Sequence, residues 1–193
     1  MSAAGAPDPS RVRLVAFDSD GTLTERGITW DDRGVGSRRF DVRDGLAMQW
    51  AVRAGLPVVV ISGKDVPALT ARLTELGVPG FQGVLDKPAC LAEFAASHGL
   101  ALADCAFVGD DLPDVPVMRR VGYPMAVADA HPIVHAVAAW RSVSDGGRGA
   151  AREALEHLLR ATGRWDAILA HYDATGLDVP TAAPVPGRGS DGA

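Results

Sequence analysis

Leu14–Thr24 reads LVAFDSDGTLT, an apolar run that ends abruptly in two carboxylates, Asp18 and Asp20, flanking a single residue. Side chains at i and i+2 of an extended chain share a face, so this spacing aims two negative charges at one small region. A cation must lie between them, or one must be protonated. Working outward, short apolar runs at 12–17, 57–61, 80–84, 105–108 and 124–128 alternate with helical patterns. That alternation implies an α/β fold, a parallel sheet with helices on both faces.

The helical stripes are legible from spacing. Val66, Leu69, Leu73 and Leu76 recur at helical intervals before Gly77, and Ala151, Leu155, Leu158 and Leu159 do so later. Between Thr22 and Val42, the segments GITW and RRFDV flank DDRGVG and predict a β-hairpin with a glycine-bearing turn. Residues 1–10 and 178–193 are rich in Pro, Gly and Ala without periodicity, and are expected to be mobile tails around a single domain of residues 11–177.

A chain of 193 residues with 47% apolar content fits one globular domain. The net charge of -5 and the absence of a Lys/Arg stripe argue against a nucleic-acid partner. No apolar run approaches the ~20 residues that span a bilayer, and the N-terminus lacks a signal peptide's apolar middle, so no membrane association and a cytoplasmic location are expected. Cys90 and Cys105 lack metal-ligand spacing and read as small buried hydrophobes. Of 19 Lys and Arg residues only Lys64 and Lys87 are lysine. In a chain that otherwise uses arginine, both deserve a question.

In a parallel sheet, ligands gather beyond the carboxyl ends of the strands. Asp18 and Asp20 end the first run, SGK (Ser62, Gly63, Lys64) the second, and GDDLPD (Gly109–Asp114) the fourth, while Lys87 opens the helix after the third. Converging carboxylates, Asp18, Asp20, Asp110 and Asp111, repel one another, and Mg²⁺ would relieve that repulsion while leaving positions for water and a phosphate. Lys87 and the Ser62 hydroxyl complement a transferring phosphoryl group. The two carboxylates of DSD can then divide the work. Asp18 attacks phosphorus to form an aspartyl phosphate; Asp20 protonates the leaving oxygen and later activates water, with Gly21 letting the chain turn away.

DSDGTLT, ISGK, Lys87 and GDDLPD, in this order, resemble the four motifs of the haloacid dehalogenase superfamily. More narrowly, FDVRDGLAMQWA, VGDDLPDVPVMRRVG, AVADAHP and GGRGAARE resemble the 3-deoxy-D-manno-octulosonate 8-phosphate phosphatase family, over about Val12 to Leu159. A lone DxD or GDD is often only a turn with an aspartate cap; four motifs in order are specific. The resemblance implies a Rossmann-like sheet, Mg²⁺ as cofactor and a homotetramer. It matches Asp18 to the nucleophile, Asp20 to the general acid/base, Ser62 and Gly63 to the phosphate-binding turn, and Lys87 to the charge-neutralising lysine. Asp110 matches the metal-ligating acid, with Asp18 and the Asp20 carbonyl as the other protein ligands. Asp111 would partner metal-bound water, and Asp114 would orient Lys87 or cap the following helix.

The family implies as substrate the phosphomonoester of an eight- or nine-carbon acidic sugar. An octose or octosyl-acid phosphate of secondary metabolism is the alternative, and a non-catalytic oligomerisation module a third reading. The hairpin of 22–42 is too short to be a large cap domain, so a neighbouring subunit is expected to wall the site, with Ile28, Trp30 and Phe40 in a buried subunit contact. Lys64 stands where the family commonly has arginine to meet a substrate carboxylate, offering a point charge rather than a fork. Arg148 in GGRGA is a second candidate substrate contact. The proposed chemistry requires none of the five histidines.

Overall fold

The structure is a computed structural model and describes residues 6–175. Its centre is β1 (Leu14–Phe17), four residues buried on both faces, as a parallel strand covered from both sides must be. The chain then forms the short strands β2 (Thr29–Trp30) and β3 (Gly36–Ser37), α1 (Val42–Arg53), β4 (Val58–Ile61), α2 (Pro67–Leu76) and β5 (Gly80–Phe81). It continues through α3 (Lys87–Ser97), β6 (Cys105–Gly109), α4 (Val115–Met118), β7 (Tyr123–Ala126), α5 (Pro132–Val137), β8 (Trp140–Arg141), α6 (Ala150–Ala161) and α7 (Trp165–Thr175). The main sheet has the order β5-β4-β1-β6-β7-β8, every pairing parallel.

From β1 the chain winds outward through α1 to β4 and through α2 to β5. It then returns through α3 to β6 on the other side of β1 and goes on to β7 and β8. Right-handed crossovers place helices of opposite winding direction on opposite faces. The contacts agree: α1 packs on α2 and α6, while α3 packs on α4 and α4 on α5. The crevice where the winding reverses lies between β1 and β6, and this sheet binds its ligand there if it follows the general rule.

The expected elements are present, with local differences. The hairpin pairs Thr29 with Ser37 and Trp30 with Gly36, and its second arm does not run on through RRFDV. Beyond Ser37 only a single bridge joins Phe40 to Thr24, because Asp41 accepts the Arg43 N–H at 2.7 Å and starts α1 at Val42. In the 80–84 run only Gly80 and Phe81 pair with β4; Gly83, at φ +68°, turns the backbone, and the Gln82 side chain accepts the N–H of Val66 at the start of α2. At the N-terminus Asp8 caps a 3₁₀ turn over Pro9–Arg11, so order begins inside the expected tail. Residues 1–5 and 176–193, which carry the rest of the expected tails, lie outside the described residues. Phe40 packs against its own core, Ile28 is half-buried and Trp30 is exposed.

One buried charge ties α1 to α6. Gly149, at φ +108°, precedes α6 and brings no side chain to cap it. Asp44 of α1 does so from across the interface: its Oδ1 accepts the Arg152 N–H at 2.8 Å. Its Oδ2 is buried without a partner. Burial pushes the Asp44 carboxyl up to about 6, against the backbone N–H groups of Arg152 and Gly149 that favour its charge. A carboxyl raised on folding binds more protons in the folded than in the unfolded chain between about pH 4 and 6, so its contribution to stability falls as pH rises through that window. Asp44→Asn keeps an acceptor for the Arg152 N–H and removes the buried charge. Urea unfolding should show this variant more stable than wild type above pH 6, by about 1–3 kcal/mol, with the difference vanishing near pH 4. A variant less stable at pH 8 would mean that the charge itself holds α6.

Candidate active site

Three neighbouring strands deliver the site. Phe17 is paired with Val60 of β4 and with Val108 of β6, so Asp18, Ser62 and Asp110, each just past its strand, emerge side by side. The Asp18 N–H continues the ladder to the Val108 carbonyl at 3.0 Å, and Ser62 N–H does the same to Phe81 at 2.8 Å. Together with Asp20, Gly63, Lys64, Lys87, Asp111 and Asp114 they line one cleft of about 330 Å³, walled also by Val84, Leu85 and Pro113.

Lys87 is the hub. Its ammonium, 5% exposed, lies 2.5 Å from Asp18 Oδ1 and 2.7 Å from Asp114 Oδ1. Of the two roles left open for Asp114, it takes the first: Oδ1 holds Lys87, while Oδ2 does not cap the following helix but accepts the N–H groups of Asp110 at 2.9 Å and Asp111 at 3.3 Å and so shapes the turn before it. Burial lowers the Lys87 pKa, but the two carboxylates more than offset it and raise it. Burial pushes the Asp18 carboxyl up to about 8, with repulsion from Asp114 and Asp110 adding and Lys87 opposing. Burial likewise pushes Asp110 up to about 6, with Asp114 adding and Arg26 opposing.

Those shifts state how far one ammonium falls short of neutralising this cluster. One oxygen each of Asp18, Asp110 and Asp114 lies within 4.8 Å of the others, all three residues buried. Asp114 spends its oxygens on Lys87 and on two backbone N–H groups that shape the turn, so Asp18 and Asp110, whose partners are the side chains of Lys87, Thr22 and Arg26, are the candidates to hold an ion. Two converging hard oxygen ligands with room for water fit Mg²⁺.

The Asp20 side chain turns away from that cluster. Arg38 Nε donates to its Oδ1 at 2.7 Å, Arg38 Nη2 to Oδ2 at 3.3 Å, and Lys64 Nζ lies 3.3 Å from Oδ2. Burial raises its pKa, but the Arg38 and Lys64 contacts outweigh that and hold it below the usual carboxylate range. Lys64 is therefore at the cleft, as expected, but spends its charge on Asp20. Asp111 lines the cleft and caps the next turn through the Leu112 N–H at 2.8 Å. The Ser62 hydroxyl accepts the Lys64 N–H at 3.2 Å.

Arg148 is not brought to the cleft. Its GGRG loop packs against the backbone of Gly21 and Thr24, where a Cβ on Gly146 would lie 1.7 Å from the Gly21 carbonyl oxygen. Its guanidinium pairs with Glu25 at 2.7 Å. Two arginines of the hairpin segment, which the motifs gave no reason to single out, sit at the site instead: Arg38 on Asp20, and Arg26, which reaches Asp110 at 2.9 Å and also pairs with Asp129. Neither carries a periodic or motif signal in the sequence.

Residues 81–152 match the haloacid dehalogenase-like hydrolase family. The chain is 36% identical over 156 residues, 80% of its length and 83% of the relative's, to 3-deoxy-D-manno-octulosonate 8-phosphate phosphatase of Escherichia coli K12. It belongs to that phosphatase family of haloacid dehalogenase-like hydrolases. The family enzyme of Moraxella catarrhalis, solved with a magnesium ion, a phosphate ion and a KDO molecule, superimposes with a TM-score of 0.82 at 32% identity, over 85% of this chain and 95% of that one. The cobalt-bound enzyme of Haemophilus influenzae gives 0.77 at 33% identity, over 80% and 91%.

Gly21 shows how tightly the family's first loop is built here. Its φ is +101°, and a Cβ there would lie 2.1 Å from Asp110 Oδ2. Gly21→Ala should therefore cost at least about 1–2 kcal/mol from backbone strain alone, read by urea unfolding. An unchanged unfolding midpoint would mean that Asp110 and the loop move aside freely.

Proposed function

We propose that the protein is a Mg²⁺-dependent phosphatase that hydrolyses the phosphomonoester of an eight- or nine-carbon acidic sugar through an aspartyl phosphate. The observation that carries this reading is the buried Asp18–Lys87–Asp114 cluster beside Asp110, at the crevice between β1 and β6. Residues 11–177 act as one catalytic domain. The relatives' substrate, 3-deoxy-D-manno-octulosonate 8-phosphate, supports the sugar-acid class.

Asp18 is the nucleophile; Lys87 opposes the burial that raises its carboxyl, and a bound cation would complete its ionisation. Ser62 and Gly63 receive the phosphate oxygens, and Asp114 fixes Lys87 against them. Asp20 gives a proton to the leaving sugar oxygen and then takes one from the water that hydrolyses the acyl phosphate. When bound, Mg²⁺ would be held by Asp18, Asp110 and the Asp20 carbonyl and would neutralise charge on the phosphate oxygens. Asp111 would orient water on it. Lys64, on the cleft wall, would meet the sugar's carboxylate.

The cleft is open on one side and no large cap is present among the described residues, so exclusion of water calls for a neighbouring copy. The exposed Trp30 and Val35 on the hairpin support a homotetramer in which hairpins pack together. Light scattering should give four times the chain mass; a monomer mass would remove this part of the reading.

Phosphate release should require Mg²⁺ and should be fastest with one member of a panel of octulosonate, nonulosonate and octosyl-acid phosphates. Asp18→Asn should abolish it, and remaining turnover above about one part in a thousand would point to another nucleophile. Preference for an octosyl-acid phosphate would transfer the enzyme to a secondary-metabolite pathway while leaving the chemistry intact.

A further inference from the structure

The two cations on Asp20 are not equivalent. Arg38 is 5% exposed and grips the carboxylate with two nitrogens, the closer at 2.7 Å to Oδ1. Lys64 is 60% exposed and touches only Oδ2, at 3.3 Å. A buried guanidinium fork fixes the plane of a carboxylate, whereas an ammonium on a solvated four-carbon stem can leave. Arg38 is not among the residues that line the cleft, so it reaches the chemistry only through Asp20. It follows directly on Ser37 of β3, so the pairing of the hairpin sets where the fork points.

We propose that Arg38 is a positioning residue whose fork fixes the plane of the Asp20 carboxylate, the group that moves the proton. The inference rests on the phosphatase reading above. In the first half-reaction the bond from an Asp18 oxygen to phosphorus forms and the phosphorus–ester oxygen bond breaks. Asp20, ionised while both cations hold it, takes up a proton from water once Lys64 has left and passes it to that ester oxygen, which leaves as the alcohol; the carboxylate left behind stays in the Arg38 fork. In the second, a water gives a proton to Asp20 as its oxygen bonds to phosphorus, the acyl phosphate bond breaks, and Asp18 and inorganic phosphate are released. Lys64 leaves Asp20 when substrate enters, which removes one of the charges that keep Asp20 ionised and supplies a cation to the substrate in the same movement.

A role in delivering a proton has a signature that a scaffold role lacks: its loss is felt in proportion to how much the leaving oxygen needs the proton. Phenyl phosphate and 4-nitrophenyl phosphate have nearly the same shape, but phenoxide is the more basic leaving group. Their kcat/KM values report phosphoryl transfer to Asp18 and not the later hydrolysis. Arg38→Gln should lower kcat/KM for phenyl phosphate by at least about tenfold more than for 4-nitrophenyl phosphate, and Arg38→Lys should recover part of the difference. Equal losses on both substrates, or no loss, would overturn the inference while leaving the phosphatase reading in place. That reading fails separately, if Asp18→Asn still turns over either ester. Circular dichroism of both variants checks the fold, and Arg38→Lys decides on the same ratio should the glutamine variant not fold.

Discussion

An ammonium buried between two carboxylates is the constraint on which the rest of this structure depends. Removing three charges from water costs several kcal/mol per ion unless geometry and further hydrogen bonds repay it. Here they offset part of it: Lys87 opens α3, Asp18 lies just past β1, and Asp114 closes the turn after β6 while accepting two backbone N–H groups. Three segments far apart in sequence are thereby held at fixed distances. Loss of Lys87 would leave two carboxylates buried together without their shared counter-charge.

The sheet order makes such a meeting possible. Because β1 is central, with β4 on one side and β6 on the other, residues just past the ends of three strands stand shoulder to shoulder without any loop having to travel. The reversal of winding beside β1 keeps the crossover helices of the two faces apart there and leaves the crevice open. Small residues keep the approach close. Gly109 has no room for a Cβ, which would lie 2.6 Å from Asp114 Oδ2, as Gly21 has none beside Asp110.

The parts of this arrangement that follow from spacing were legible in the sequence. The i, i+2 pair of DSD predicts two carboxylates at one strand end, and helical stripes predict α2 and α6. The strand-ending clusters SGK and GDDLPD converge as expected, because parallel strands put their carboxyl ends at one edge of the sheet. What spacing could not carry is the direction of long charged side chains. Arg38 and Arg39 are adjacent and chemically alike, yet one is buried on Asp20 and the other lies in solvent with Glu25. Arg148 is drawn away from the cleft by Glu25 for the same reason, a local partner that no periodicity marks. β8 leaves no such mark either, because it is two residues at a sheet edge.

The pairing of charges around the cleft leads to a last consequence. Lys87 is shared by Asp18 and Asp114, Arg38 and Lys64 by Asp20, and Arg26 by Asp110 and Asp129. Each of these four cations is already committed to a carboxylate, and Asp111 adds a further negative charge at the wall. A phosphate monoester brings up to two more. Unlike charges pair at short range far more strongly in such a partly dehydrated cleft than in water, and like charges repel to the same degree. These four cations fall short of the six carboxylates around them and leave nothing over for the substrate. On the proposed reading the missing charge would come from a divalent ion held by Asp18 and Asp110, which would offset the repulsion among the buried carboxylates and neutralise charge on the phosphate. The same arithmetic explains why Lys64, the most exposed of the four, is the one that can change partners.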